Sequence, residues 1–248
     1  MKKDTEKLND FQKKLTWRKY TLAAAIILLL ITAALVFIWL TQEQGLDQHG
    51  EMVIRRAAAE QLKFQEHLDT EPNKLTDEDF AKIIELHLLN IEITDLKLLE
   101  KFTNLKQLYL NNLRYPKNAI PKWMKILAKF GFIDLNERFA LDLSPLEKLN
   151  NLQSLTIISS PANNFKFLSS HKNLHSLNIS RGTISNMEPI KNLSNLRELI
   201  LSGSLVSDLE PLKGLINLQW VDLRNCSNIT SKQVEDLLEA LPNVEITR

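Results

Sequence analysis

Apolar positions along this 248-residue chain follow three different spacings, and each predicts a different element. Thr21 to Leu40 reads TLAAAIILLLITAALVFIWL, twenty residues with no charge, Pro or Gly. A helix of that length rises about 30 Å, the thickness of a hydrocarbon core. A soluble core helix keeps a polar stripe, and this run has none, so the pattern predicts a transmembrane helix over residues 21–40. Trp17, Tyr20 and Trp39 lie at its two ends, where amphipathic rings favour the headgroup level. Residues 41–74 are polar with irregular apolar positions (Val53, Ile54, Ala57, Ala58, Leu62, Phe64, Leu68) and good helix formers. They predict a helical stalk, acting as a spacer without a clean coiled-coil heptad. Pro72 and Asn73 end it, and Thr76 before Asp77, Glu78 and Asp79 reads as the N-cap of a short helix.

From residue 75 to residue 248 the pattern is periodic. The spacing L-x-x-L-x-L occurs at Ile83/Leu86/Leu88, Leu105/Leu108/Leu110, Phe130/Ile133/Leu135 and Leu152/Leu155/Ile157. It returns at Leu174/Leu177/Ile179, Leu196/Leu199/Leu201, Leu218/Val221/Leu223 and Leu241/Val244/Ile246, with successive steps of 22, 25, 22, 22, 22, 22 and 23 residues. Numbering each unit from its first apolar residue, apolar side chains recur at positions 11, 14, 17 and 20, as in Ile93, Leu96, Leu99 and Phe102. An Asn precedes the leading Leu at Asn104, Asn151, Asn173, Asn195 and Asn217, and a Pro stands at position 16 in Pro145, Pro189 and Pro211. The L-x-L pair has period two and predicts a short strand. Proline on the return predicts a turn or 3-10 segment rather than an α-helix. About eight such units predict an α/β solenoid: short parallel strands on one side, turns and 3-10 segments on the other.

Two units are irregular. The second gains three residues near Tyr115, Pro116, Ile120, Pro121, Lys122 and Trp123, read as a bulge on the convex side. The seventh replaces its Pro-containing return with Ser231–Leu241, read as a closing helix with Asn228 and Ser231 as cap candidates.

These features over residues 75–248 resemble the leucine-rich-repeat family, specifically the 22-residue subclass of bacterial internalin-like and phosphatase-regulatory repeat proteins. The stretch from Val206 to Leu218 is especially similar. The resemblance implies a protein-recognition solenoid, and one departure stands out. The family places Asn at position 9, where this chain has Ile91, Leu113, Arg138, Ser160, Gly182, Ser204 and Cys226; Asn90, Asn112 and Asn225 sit one place earlier.

Charge adds direction. Residues 1–20 form a basic tail with seven Lys and Arg (Lys2, Lys3, Lys7, Lys13, Lys14, Arg18, Lys19) against three acids, whereas residues 41–60 carry only Arg55 and Arg56 against four. The positive-inside rule then predicts a single-pass protein of the plasma (cytoplasmic) membrane with a cytoplasmic N-terminus and the repeats outside, periplasmic or extracellular. The apolar run exceeds a cleaved h-region and ends Phe-Ile-Trp-Leu, a poor cleavage site, so it reads as an uncleaved signal anchor; a cleaved signal peptide is the alternative. A single cysteine, Cys226, precludes an internal disulfide framework. The formal net charge of +1, with no basic stripe beyond the tail, argues against nucleic acid as partner.

Candidate chemistry is sparse. His171 and His175 are four apart, but the first falls on a core position and the second opens a strand, so no metal is expected. Cys226 reads as a small buried thiol. No phosphate-binding loop, H-E-x-x-H or G-x-S-x-G occurs, so neither a cofactor nor enzymatic activity is expected. Asn178, Asn192, Asn225 and Asn228 match the glycan acceptor pattern, which matters only in a eukaryotic secretory pathway. Binding is the expectation instead. Positions 3, 5, 7 and 8 of stacked strands share one exposed concave face. They bring forward Tyr109, Phe132, Asp134, Ile158, Asn178, Ile200, Trp220, Asp222 and Arg224. Exposed aromatics there are hot-spot candidates for a protein ligand. A membrane-anchored recognition module of a bacterial envelope is the first reading, and a eukaryotic membrane-tethered adaptor or assembly factor the second.

Overall fold

A computed structural model of the chain describes residues 49–64, 71–117, 120, 122–131, 140–160, 162 and 164–248. The expected membrane span, 21–40, and the basic tail lie outside them, and among the described residues no helix is long and apolar enough to cross a membrane.

Seven strands form one parallel sheet in sequence order: β1 Glu85–Leu89, β2 Gln107–Asn111, β3 Ser154–Ile158, β4 Ser176–Asn178, β5 Glu198–Ile200, β6 Trp220–Asp222 and β7 Glu245–Thr247. Register aligns Leu86, Leu108, Leu155, Leu177, Leu199, Val221 and Ile246 strand by strand. The first six of these side chains are 0% exposed. Period-two alternation puts them inward and their neighbours on the opposite face. On the convex side the chain returns through 3-10 segments at Lys97–Lys101, Ser144–Lys148, Lys166–Ser170, Glu188–Ile190 and Glu210–Leu212. Three of them carry the predicted Pro in their first turn, where the missing N–H costs no bond.

About eight units were expected, and seven strands lie among the described residues. Strand β2 pairs directly with β3, Leu108 beside Leu155, while Ile133 and Leu135 of the strand expected at Phe130/Ile133/Leu135 are not among the described residues. Residues 132–139 lie outside the described set. The second half of that motif is used nonetheless: Leu143, Leu146 and Leu149 are buried, and Ser144–Lys148 packs beside Lys97–Lys101 as the return segment following β2. One unit therefore takes its strand from one apparent repeat and its convex side from the next. The residues between carry an inserted helix, α3, Lys122–Lys129, where a three-residue bulge was expected. Within it Met124 is buried, while Ile126 and the following Phe130 are exposed.

Backbone polar groups are satisfied by ladders that recur once per turn of the coil. Position 8 adopts left-handed φ in six units, at Asn90, Asn112, Ser159, Arg181, Gly203 and Asn225. Asn and Gly tolerate that region best, which accounts for the asparagines standing one place before position 9. Position 9 itself is small and buried at Ser160, Ser204 and Cys226. The Ser160 hydroxyl lies 3.0 Å from the Ile158 carbonyl, and the Cys226 thiol lies 3.1 Å from that of Leu201. The asparagines that recur before the leading Leu, at position 22, form the first ladder. Amides of Asn104, Asn151, Asn173, Asn195 and Asn217 donate to carbonyls of Ala81, Thr103, Asn150, Lys172 and Ser194 in the preceding unit, at 2.8–3.1 Å. A second ladder, at position 13, was not anticipated. Carboxylates or amides of Asp95, Asp142, Asn164, Asn186 and Asp208 accept the N–H two residues on and start each 3-10 segment.

Both ends of the array are closed. Helix α1, residues 49–64, was expected to act as a spacer; instead it buries Ile54, Ala58 and Leu62, each 0% exposed, into the same core as the repeats. Their i, i+4, i+8 spacing is a helical stripe. Arg55 Nη1 donates to the Leu75 carbonyl at 3.1 Å, and its guanidinium stands 5.3 Å from the Phe80 ring centre. A close approach is provided at Gly50, where an added Cβ would fall 2.4 Å from Asp95 Oδ2. Helix α2, Asp77–Lys82, starts with the expected Thr76 cap, whose hydroxyl accepts from the Asp79 N–H while the Asp79 carboxylate accepts from Thr76. At the other end, helix α4, Ser231–Ala240, closes the array. Its N-cap is Thr230, in a capping box with Gln233, rather than Asn228 or Ser231.

Candidate binding face

On the outward face of the sheet, side chains from successive strands stand exposed in rows. Parallel strands spaced about 4.8 Å apart carry seven-residue rows over about 29 Å. The central row runs His87, Tyr109, Thr156, Asn178, Ile200, Asp222, Thr247. Beside it, on position 3, stand Glu85, Gln107, Ser154, Ser176, Glu198, Trp220 and Glu245. On the other side, position 7 carries Leu89, Asn111, Ile158, Ser180, Ser202 and Arg224.

Near β1 and β2 the face is aromatic. Tyr109 is half-buried and stacks on His87 with ring centres 4.3 Å apart and planes 17° off parallel. Its hydroxyl donates to Gln107 Oε1 at 3.0 Å, and His87 Nε2 lies 2.7 Å from Glu85 Oε1. The rings are held from both flanks, which lowers the rotamer entropy that docking would cost. Leu89 adds an apolar side chain 44% exposed. His87 and Leu89 were missed in the sequence although they occupy positions 5 and 7 of the first unit; the register alone would have found them.

The centre is mixed. Ile158 and Ile200 are half-buried on positions 7 and 5. Asn178 is half-buried, with Oδ1 accepting from the Ser180 N–H at 3.1 Å, so its amide oxygen is already engaged. Phe132 and Asp134 lie outside the described residues.

Toward β6 and β7 the face becomes charged. Trp220 is half-buried and its indole Nε1 donates to Thr247 Oγ1 at 3.1 Å, tying the ring to the last strand. Asp222 corrects the expectation of an exposed docking group. It is 1% exposed, and both its carboxylate oxygens accept from Arg224, at 2.7 Å to Nη2 and 3.0 Å to Nε. The guanidinium bonds, together with the Arg224 N–H, hold the Asp222 carboxyl below its ordinary range against the opposing effect of burial. Asp222 thus serves to aim Arg224, whose side chain stays 59% exposed.

The two histidines do not converge. His171 is buried at position 20, with Nδ1 2.9 Å from the Phe167 carbonyl and Nε2 3.0 Å from that of Leu146. It fills a site that is Phe or Leu in other units. Among the described residues no group of three His, Cys, Asp or Glu side chains is arranged to hold a metal.

Known proteins bear on the fold. No family model matches the sequence, and no curated protein matches it. Solved structures do. The internalin inlF of Listeria monocytogenes superposes with a TM-score of 0.51 at 21% identity, over 76% of this chain and 54% of its own. Internalin C2 of the same organism gives 0.51 at 20% identity, over 79% and 81%. This chain therefore spans about half the length of the first. At such identities the likeness is one of backbone, and it agrees with the repeat geometry above.

Proposed function

We propose that this leucine-rich-repeat solenoid is a membrane-tethered recognition module that binds a protein partner outside the cytoplasm through its concave face. One observation carries the binding part: seven in-register strands display pre-ordered side chains in continuous rows, with the stacked His87–Tyr109 pair at one end and Trp220 near the other. Large aromatic side chains already held in one rotamer are what hot spots require. The internalin likeness supports a binding role through fold alone. The tether rests on the sequence: a 20-residue apolar run and the excess of Lys and Arg before it.

Cross-linking on living cells, followed by identification of the captured protein, supplies the partner. With that partner in hand, Tyr109→Ala and Trp220→Ala should each weaken capture on the order of tenfold or more, the effect of losing a hot-spot side chain. Unchanged capture by both variants would remove the concave-face assignment. Topology has a separate check. Protease added to intact cells, with any outer barrier opened, should digest the repeats and spare an epitope placed before residue 20; protection of the repeats reverses the orientation.

A further inference from the structure

The C-terminal end of the face holds a notch of about 210 Å³ lined by Arg181, Ser202, Gly203, Arg224 and Asn225. It lies below the 300–1,000 Å³ of small-molecule sites, so it suits one functional group of a larger partner. Resting on the concave-face reading and sharpening it, we infer that this notch receives the carboxylate of an acidic side chain on the protein partner.

Three observations lead there. The first is donor surplus. The Arg181 guanidinium has no hydrogen-bond partner among the described residues, and Arg224 gives Asp222 only Nε and Nη2, leaving Nη1 open. Ser202 donates its hydroxyl to Ser180 and turns no donor outward. The second is charge. Two guanidiniums and the buried Asp222 carboxylate leave a local charge of about +1, which one carboxylate neutralises; the planar fork of Arg matches a carboxylate's two oxygens.

The third is backbone. Position 8 is left-handed in six units, and Asn or Gly fills it in four of them, yet here it is Arg181 at φ 52°. A non-glycine residue in that region is strained and persists where the surroundings enforce it, often at binding sites. In the next unit the same position is Gly203, at φ 69°, and a Cβ there would touch Arg181 Cγ at 3.4 Å. With no side chain at Gly203, the notch that Arg181 and Arg224 both line stays open. Arg181 and the side-chain-free Gly203 thus shape one notch.

The test titrates the full-length chain, isotopically labelled, with the blocked tripeptide acetyl-Ala-Asp-Ala-amide, and separately with its Asn counterpart. Arginine Nε–H resonances are followed by NMR. Saturable shifts at Arg181 and Arg224 with the Asp peptide, absent with the Asn peptide and absent at Arg114 and Arg197, support the inference. Arg181→Gln should abolish the Arg224 shift, whereas Arg197→Gln should leave it intact. Equal shifts at all arginines, no saturation, or an Arg224 response that survives Arg181→Gln would each overturn it. The titration needs no native partner. A silent notch alongside partner capture lost in Tyr109→Ala and Trp220→Ala removes the notch and keeps the face; the converse pair of results keeps the notch and removes the face.

Discussion

Leu177→Ala should lower the free energy of unfolding by roughly 2–5 kcal/mol, the cost of emptying a fully buried leucine site. Leu177 is 0% exposed at the middle of the sheet, paired with Leu155 on one side and Leu199 on the other. In a solenoid each unit rests only on its neighbours, so a cavity in a central unit weakens two interfaces at once. The site cannot collapse readily, because the asparagine ladder at position 22 ties the backbone of each turn to the one before it. Urea denaturation followed by circular dichroism measures the loss. A cost below about 0.5 kcal/mol, the range of surface substitutions, would mean that Leu177 does not belong to an interior column.

The second large effect concerns the closing helix. Leu62→Asp should destabilise the domain by several kcal/mol, because an unpaired carboxylate would enter a packed apolar interface. Phe64→Asp, two residues on, is the internal control: Phe64 is 83% exposed, so this change should stay within about 0.5 kcal/mol. A repeat array needs its terminal hydrophobic units covered, and Ile54, Ala58 and Leu62 supply that cover. Were the helix a free spacer, the two variants would unfold at the same urea concentration. Their separation distinguishes a cap from a stalk.

Much of the fold was readable before any coordinates. The 22-residue return of L-x-x-L-x-L located β1 to β6 in register and β7 two residues out, since Val221 pairs with Ile246 rather than Val244, and Pro145, Pro189 and Pro211 marked the 3-10 returns. Thr76 announced the start of α2, His171 fell on its core position, and Cys226 was placed as a buried thiol. The position-13 ladder was equally visible as Asp or Asn recurring at 95, 142, 164, 186 and 208, although it went unnoticed. Of the proposed face, Tyr109, Ile158, Asn178, Ile200, Trp220 and Arg224 lie where the register put them.

Other features escaped for a shared reason. Phe130/Ile133/Leu135 satisfies the strand motif as well as its neighbours do, yet β2 chooses β3 across an insertion, and no local pattern states which strand a strand will pair with. The stripe Ile54, Ala58, Leu62 became recognisable as a cap only beside the open end of the array it covers. Asp222 looked exposed by register and is buried because Arg224 folds over it. The Arg181 and Arg224 notch joins position 8 of one unit to position 7 of another two strands away.

Periodicity, burial side and turn chemistry are local properties, set within a few residues by side-chain spacing and backbone preference; the order of residues carried them in full. Pairing partners, end closure and the exposure of individual charged groups are contests between distant segments for the same surface, and those were resolved only when the coil was stacked.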